Sequence, residues 1–376
     1  MPAVPAGHRA SAPVAVRTTA APEAPALPAA PFRALVEGLS EPGAEFFSDN
    51  YVSNETSYLQ VAAALAHEAR PGGAFIGVGP EQNFTYIALA RPSLAFILDI
   101  RRDNLVLHLL YRAIFDLAET RLHFLALLTG RELGSAPLLA ADAPIELVLE
   151  RATGLASSEP SFTAVHERLR RQIEDGAGIA LSAADRRSLR RTHRAFFGPG
   201  LAIRFKLREA SHRRYPTLGE MLAQADPQGH QLGFLASEEA FRFVQRLERA
   251  GRVVPVVGNF AGDHALSAIA QACRERGLVV SAFCVSNVEQ YLIADGLWHK
   301  WRRNIEALPI DERSLFVRAY LDQGRPHPRQ MKGHRTATLL QPVAHFLERQ
   351  KKRPYRSMWE VSTDGVLEPQ DAPHSR

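Results

Sequence analysis

Cysteine is nearly absent from this chain: Cys273 and Cys284 are the only two in 376 residues. Neither belongs to a CxxC pair or a Cys/His cluster, which argues against a disulfide scaffold and a structural zinc site. Long apolar runs are missing too. The longest, Leu105 to Ala118, is broken by His108, Arg112 and Asp116, well short of the roughly 20 residues that cross a bilayer. The chain therefore reads as soluble and cytoplasmic, with no membrane partner. There is no GxSxG, HExxH, P-loop or EF-hand, so hydrolase and NTPase readings lose their usual supports. His108, His123, His166, His193 and His345 have no partner at metal-ligand spacing and read as core or surface residues; no metal site is expected from them.

Hydrophobic residues make up 46% and charged residues 23%, so most of the chain should bury a core. Residues 1–31 are the exception, with 11 Ala and 7 Pro and no periodic apolar face. They read as a disordered tail without the apolar region of a secretory signal, folding beginning near Phe32. Charge is uneven. Segments 165–214 and 323–356 each carry +8, against +5 for the whole chain. Such segments can bind nucleic acid or another anionic partner. Base-stacking aromatics are not interleaved with them, which favours solvated helical faces.

The stretch Ser57 to Ala69 is alanine-rich and helical, stopped by Pro71-Gly72-Gly73. Ala74 to Gly79 (AFIGVG) then has the length and flanks of a buried strand. Pro80-Glu81 opens a helix to about Ala90, Leu94 to Leu98 forms a second strand, and Asp103 to Ala118 forms a buried helix. This is a βαβ unit with Gly77 and Gly79 at the first strand's end and Asp99 at the second's, 20 residues later. Gln82 stands where GxGxxG has its third glycine. Glu81 places negative charge at a helix N-terminus that would otherwise receive a pyrophosphate. An uncharged or cationic nucleoside is therefore favoured over a dinucleotide.

Residues 120–235 read as a mostly helical insertion, with a capping box at Ser182/Asp185 and a candidate strand at Leu201 to Leu207. The sheet then resumes. Val253 to Val257 is a strand whose proline suggests an edge, Asp263 to Arg276 a helix, Leu278 to Cys284 a strand, and Ser286 to about Arg302 a helix. Ser314 to Tyr320 adds a last strand, and residues 326–376 form a basic helix and tail. The expected architecture is α/β, a Rossmann-like, mostly parallel sheet with helices on both faces over residues 32–325.

Ligands of such sheets bind outside the strands' carboxyl ends. There the sequence places Gly77, Gly79, Glu81, Asn83, Asp99 and Arg101, with Asn259, Asp263, Ser286, Asn287, Glu289 and Gln290 after the later strands. The stretch Ser48 to Glu55 adds further amides and carboxylates. Ser286/Glu289 spells a capping box and Asp263 an N-cap, which favours structural roles for both sites. The lining suits hydrogen bonding to a ribose, an amino-acid group or an amide, and holds no evident nucleophile–base pair.

The segments FSDNYVSNETSY (47–58), GAFIGVGPEQNFTYI (73–87), AFILDIRRDNLVLHLLY (95–111), VPVVGNFAGDHAL (254–266) and AFCVSNVEQYL (282–292) resemble an uncharacterised bacterial family, a domain of unknown function. More distantly, the glycine loop followed by a strand-end acid is similar to class I S-adenosylmethionine-dependent methyltransferases. That resemblance implies a cofactor with its methionine part near Gly77–Gly79 and its ribose on Asp99. It implies Asn259 as a polar residue on the substrate side. The acid that usually precedes the first glycine is replaced by Phe75 and Ile76.

The leading expectation is a methyltransferase-like protein that binds S-adenosylmethionine through Gly77, Gly79, Glu81, Asn83, Asp99 and Arg101. Its catalytic residues would be Asn259 and Glu55, acting on an unidentified methyl acceptor. Two alternatives stay open: a Rossmann-fold enzyme using Glu55, Glu81 and Asp99 as acid/base or metal-binding carboxylates, and a non-enzymatic domain binding an anionic partner.

Overall fold

Most of the short apolar runs bounded by Gly or Pro become strands, and six strands assemble into one sheet. In this computed structural model, residues 26–134, 139–208, 213–322 and 324–368 are described. The expected tail lies outside them as far as residue 25. Strand β1 (Ala74–Gly77) pairs in parallel with β2 (Leu94–Asp99) and with β4 (Val280–Ser286). Strand β3 (Val253–Val257) flanks β2, and β5 (Leu315–Leu321) flanks β4, both in parallel. Strand β6 (Thr336–Pro342) closes the other edge, antiparallel to β5. The order β3-β2-β1-β4-β5-β6 reverses direction at β1/β4, the topological switch point where such sheets hold their ligands.

Every residue of β1, β2 and β3 is buried, so both sheet faces are covered. The expected α/β fold is the one observed. Pro255 sits on β3, an edge strand, where a missing N–H costs no ladder bond on the open side.

The helices begin with α1 (Ala29–Leu39), whose buried Phe32, Val36 and Leu39 make one apolar face. Helices α2 (Ala62–Glu68), α3 (Gln82–Ala90) and α4 (Arg102–Leu117) follow, α4 with every residue from Asn104 to Phe115 buried. Between β2 and β3 the chain forms α5 (Arg121–Leu128), α6 (Ile145–Thr153), α7 (Glu159–Arg171), α8 (Ala183–Phe197), α9 (Leu218–Leu222) and α10 (Glu238–Arg249). The Ser182/Asp185 capping box opens α8 as expected. After β3 come α11 (Ala265–Glu275), α12 (Val288–Ala294) and α13 (Trp298–Glu306); after β6, α14 (Val343–Lys352) and α15 (Met358–Thr363). Aromatic rings of Phe84, Phe115, Phe124, Phe234 and Phe241 interlock where α3, α4, α5 and α10 meet.

Five local expectations are corrected. Residues Leu201–Leu207 form no strand; a short 3-10 turn and two isolated bridges, Arg204 with Thr217 and Leu207 with Ser48, replace it. The helix expected from Ser286 to Arg302 divides into α12 and α13 at Gly296, whose φ of +70° ends the first. Asp263 does not cap α11: His264 holds that position, and Asp263 instead bonds Arg303 at 2.8 Å. The Ser286/Glu289 capping box is absent, because Glu289 is buried against Arg318 and Trp301. The C-terminal region expected as helix and tail also carries β6.

Several arginines of the first basic segment meet carboxylates. Arg170 pairs with Glu167 at 2.9 Å, Arg186 with Glu174 at 2.6 Å, Arg191 with Asp103 at 2.7 Å and Arg194 with Glu159 at 2.7 Å. In the second, Arg349 faces Asp364 at 3.6 Å and Lys352 faces Glu348 at 2.5 Å. Among the described residues no helix is long and apolar enough to cross a membrane.

Candidate functional site

The loop leaving β1 is braced from beneath by one amide. Asn83, in the first turn of α3, donates from Nδ2 to the carbonyls of Val78 (2.9 Å), Pro80 (2.9 Å) and Gly79 (3.3 Å). Its Oδ1 is buried without a partner and lies where a Cβ on Gly77 would stand, so position 77 must be glycine. Gly79 has φ of +82°; it is buried, yet no atom lies within 4 Å of the place its Cβ would take. Open space thus faces the loop at Gly79.

His108 reaches this loop from α4, Nε2 lying 2.8 Å from the Gly79 carbonyl. A carbonyl only accepts, so Nε2 carries the proton and Nδ1 is left as a buried acceptor without a partner. Burial pushes the His108 pKa down to about 4, which keeps the ring neutral near pH 7. Asn104 Nδ2, one turn earlier on α4, is likewise buried and unpartnered. Buried polar atoms without partners are rare in native proteins, and those of Asn83 and His108 belong to side chains that hold the glycine loop.

Asp99 and Arg101 are brought together with the loop, but they answer one another. Asp99 Oδ1 accepts from Arg101 N (2.9 Å) and Nε (3.0 Å), and Oδ2 from Nη2 at 2.8 Å. Both residues are 5% exposed. Arg101 Nη1 also donates to the Asp49 carbonyl, strapping the 41–57 segment over the strand ends.

On the β4 side two carboxyl groups converge. Glu81 precedes α3 and turns its carboxylate to the Ser53 N–H, at 3.1 and 3.2 Å. Burial raises its pKa to about 7, with nearby Glu55 adding to the rise. Glu55, 6% exposed, accepts from Gln82 Nε2 at 2.8 Å and from Ser286 Oγ. Its pKa is raised by burial, against the lowering effect of those two donors. Gln82 is fixed in turn by Ser53 Oγ and, at 3.0 Å, by Tyr86. Ser286 itself stands at the carboxyl end of β4 with φ of +51°. At the rim, Phe46, Phe47 and Tyr291 of α12 pack together, with Tyr291 centroid distances of 5.6 and 5.9 Å, and Phe47 is 45% exposed.

Of the residues anticipated from sequence, Gly77, Gly79, Glu81, Asn83, Asp99, Arg101 and Glu55 surround the ends of β1, β2 and β4. Asn259 does not join them. It follows edge strand β3, spends its Oδ1 on the Ala261 N–H at 2.8 Å, and donates its own N–H to Glu41 at 2.7 Å. Glu41 also accepts from His264 and Ala265 N–H, both at 3.2 Å, and so caps α11 in place of Asp263. The Ser286–Glu55 contact and His108 were not anticipated. Ser286 carried one readable signal, a polar residue closing a strand. The contact itself joins positions 231 apart, and nothing local encodes it.

Among the described residues no group of three or more His, Cys, Asp or Glu is arranged to hold a metal ion. A surface depression of about 310 Å³ lies elsewhere, lined by Leu59, Gln60, Asp226 and Arg329 among others. It holds no convergent acid–base or glycine-loop geometry, so the strand-end crevice is the stronger candidate. The profile of a family described as Domain of unknown function (DUF7790) matches residues 50–371, and the chain belongs to that family. The matched region includes Glu55, Gly77, Gly79, Glu81, Asp99, Arg101 and Ser286 and extends through β6, while Phe46, Phe47 and Asp49 precede it. No curated protein matches the chain.

Proposed function

We propose that this protein is an enzyme whose reaction takes place in the crevice outside β1 and β4, with Glu55 as the group that accepts and returns a proton. The glycine loop beside it would take a nucleoside cofactor, and S-adenosylmethionine is the first candidate. The observation that carries this reading is the meeting of three features at the switch point: an open slot at Gly79, unpartnered polar atoms around it, and two buried carboxyl groups. Carboxyl groups at the start of α3 repel phosphates and suit a cationic sulfonium or ammonium group. Polar atoms at His108 Nδ1 and Asn104 Nδ2 could meet the hydroxyls or ring nitrogens of a nucleoside. Methyl transfer needs chiefly positioning of donor and acceptor, plus removal of the acceptor's proton, which Glu55 would supply.

Calorimetric titration with S-adenosylmethionine and S-adenosylhomocysteine tests the cofactor. Micromolar binding, lost when Gly79→Val fills the slot without unfolding the protein, supports it. Silence at millimolar ligand overturns it.

A second reading keeps Glu55 and Glu81 as working carboxyl groups but dispenses with the nucleoside. It is favoured by Asp99, whose oxygens already accept three N–H groups of Arg101. Only one lone-pair position then remains for a ribose hydroxyl.

A further inference from the structure

We propose that Ser286 is a nucleophile activated by Glu55, and that the protein forms a covalent acyl-enzyme with an ester bearing an apolar or aromatic group. This rests on the reading of Glu55 as a proton acceptor and is independent of S-adenosylmethionine.

The backbone supplies the first argument. Ser286 closes β4 just before α12 with φ of +51°, a left-handed conformation that strains a non-glycine residue. The pairing of β4 with β5 also slips in register between Cys284 and Ser286. Bulges of this kind re-aim a side chain beside a site. A serine held on a strained strand-to-helix turn presents its hydroxyl above the sheet, where a substrate can reach it. Ser286 is indeed partly exposed while Glu55 is buried.

The side chains supply the second. Ser286 Oγ donates to Glu55 Oε1, Glu55 Oε2 is held by Gln82, and Gln82 is held by Ser53 and Tyr86. That is the sequence of nucleophile, base and orienting group that acyl transfer requires. The titratable groups facing Glu55 are Glu81, Tyr86 and Cys284. Among the described residues no cation pairs with it, so the carboxylate stays basic. The Asn287 amide oxygen, 3.3 Å from Ser286 Oγ, is a second acceptor for the hydroxyl proton. The Phe46, Phe47 and Tyr291 rings at the rim suit an apolar substituent.

In the first half-reaction Oγ attacks the ester carbonyl and its proton passes to Glu55. The tetrahedral intermediate then expels the alcohol oxygen, which takes that proton. Water attacks the acyl-serine in the second half, giving one proton to Glu55. Glu55 returns it to Oγ as the carboxylic acid departs.

The test is labelling of the full chain with diisopropyl fluorophosphate, read by mass spectrometry. The P–F bond breaks, an Oγ–P bond forms, the Oγ proton passes to Glu55 and fluoride leaves. One adduct on Ser286 is expected near pH 8, none on Ser286→Gly, and a rate about 100-fold lower in Glu55→Gln. Glycine is chosen because it accepts φ of +51° without strain. No adduct on Ser286 in folded protein, or Glu55→Gln reacting at the wild-type rate, overturns the proposal. The infrared carboxyl band that disappears in Glu55→Gln separates the two failures. If that group ionises between about pH 5 and 9 but Ser286 is inert, only the nucleophile falls. If it never ionises, the proton-acceptor reading falls with it.

Discussion

Ser286 Oγ donates a hydrogen bond to Glu55 Oε1, joining the end of β4 to a segment 231 residues earlier in the chain. Removing the hydroxyl leaves a buried carboxyl group short of one donor. Ser286→Ala should therefore lower stability by about 1–3 kcal/mol, measured by urea unfolding. Ser286→Gly loses the same bond but relieves the backbone at φ of +51°. It should be more stable than the alanine variant by about 1 kcal/mol. The reverse order would show that the turn is not strained.

Asn83 supports a second prediction. Replacing it with Asp removes the Nδ2 donor and turns an oxygen toward the carbonyls of Val78, Gly79 and Pro80. Asn83→Asp should cost about 2 kcal/mol or more and weaken any ligand at the glycine loop. A melting temperature equal to wild type would contradict the brace.

The pH dependence has a defined sign. Glu81 is raised from an ordinary 4.5 to about 7, so the native state keeps a proton that the unfolded chain has lost. Its contribution falls as pH rises from 4.5 to 7 and is fully lost above that. Glu81→Gln abolishes this loss. Relative to wild type, the variant should gain up to about 3 kcal/mol between pH 4.5 and 8, read from urea midpoints across that range. His108 works in the opposite sense. Lowered from 6.5 to about 4, it destabilises the native state as pH falls through that window and so offsets the Glu81 slope below about pH 6.5 in the wild type.

Away from the site, Arg318 and Glu289 form an ion pair with neither side chain exposed, and Trp301 and Gln341 complete their hydrogen bonds. Arg318→Met alone should destabilise by about 3–5 kcal/mol, because it strands a buried carboxylate. Replacing both partners with apolar residues should recover much of that loss in the same unfolding assay.

The sheet was largely legible in the sequence, because β1, β2, β3 and β4 are short apolar runs fenced by glycine or proline and alternating with helices. Pro255 even announced an edge. What local pattern misjudged were polar residues with two uses. Ser286 and Glu289 have the spacing of a capping box, yet tertiary partners claim both: Glu55 takes the hydroxyl, while Arg318 and Trp301 take the carboxylate. Asp263 lost its cap to Glu41 in the same way, since a carboxylate from a distant segment satisfied the α11 N–H groups first. Asn259 was placed by its strand, but the strand lies at the sheet's edge, with β2 between it and the glycine loop. Left-handed backbone at a serine leaves no trace in composition or periodicity.

The most direct test of the strand-end crevice as the functional site is a crystal structure of the protein grown with S-adenosylhomocysteine. The account predicts the nucleoside beside Gly79, in polar contact with His108 Nδ1 or Asn104 Nδ2, its amino-acid end toward Glu81 and Glu55. Density at another place, such as the depression beside Gln60 and Arg329, or an empty crevice at saturating ligand, would contradict it.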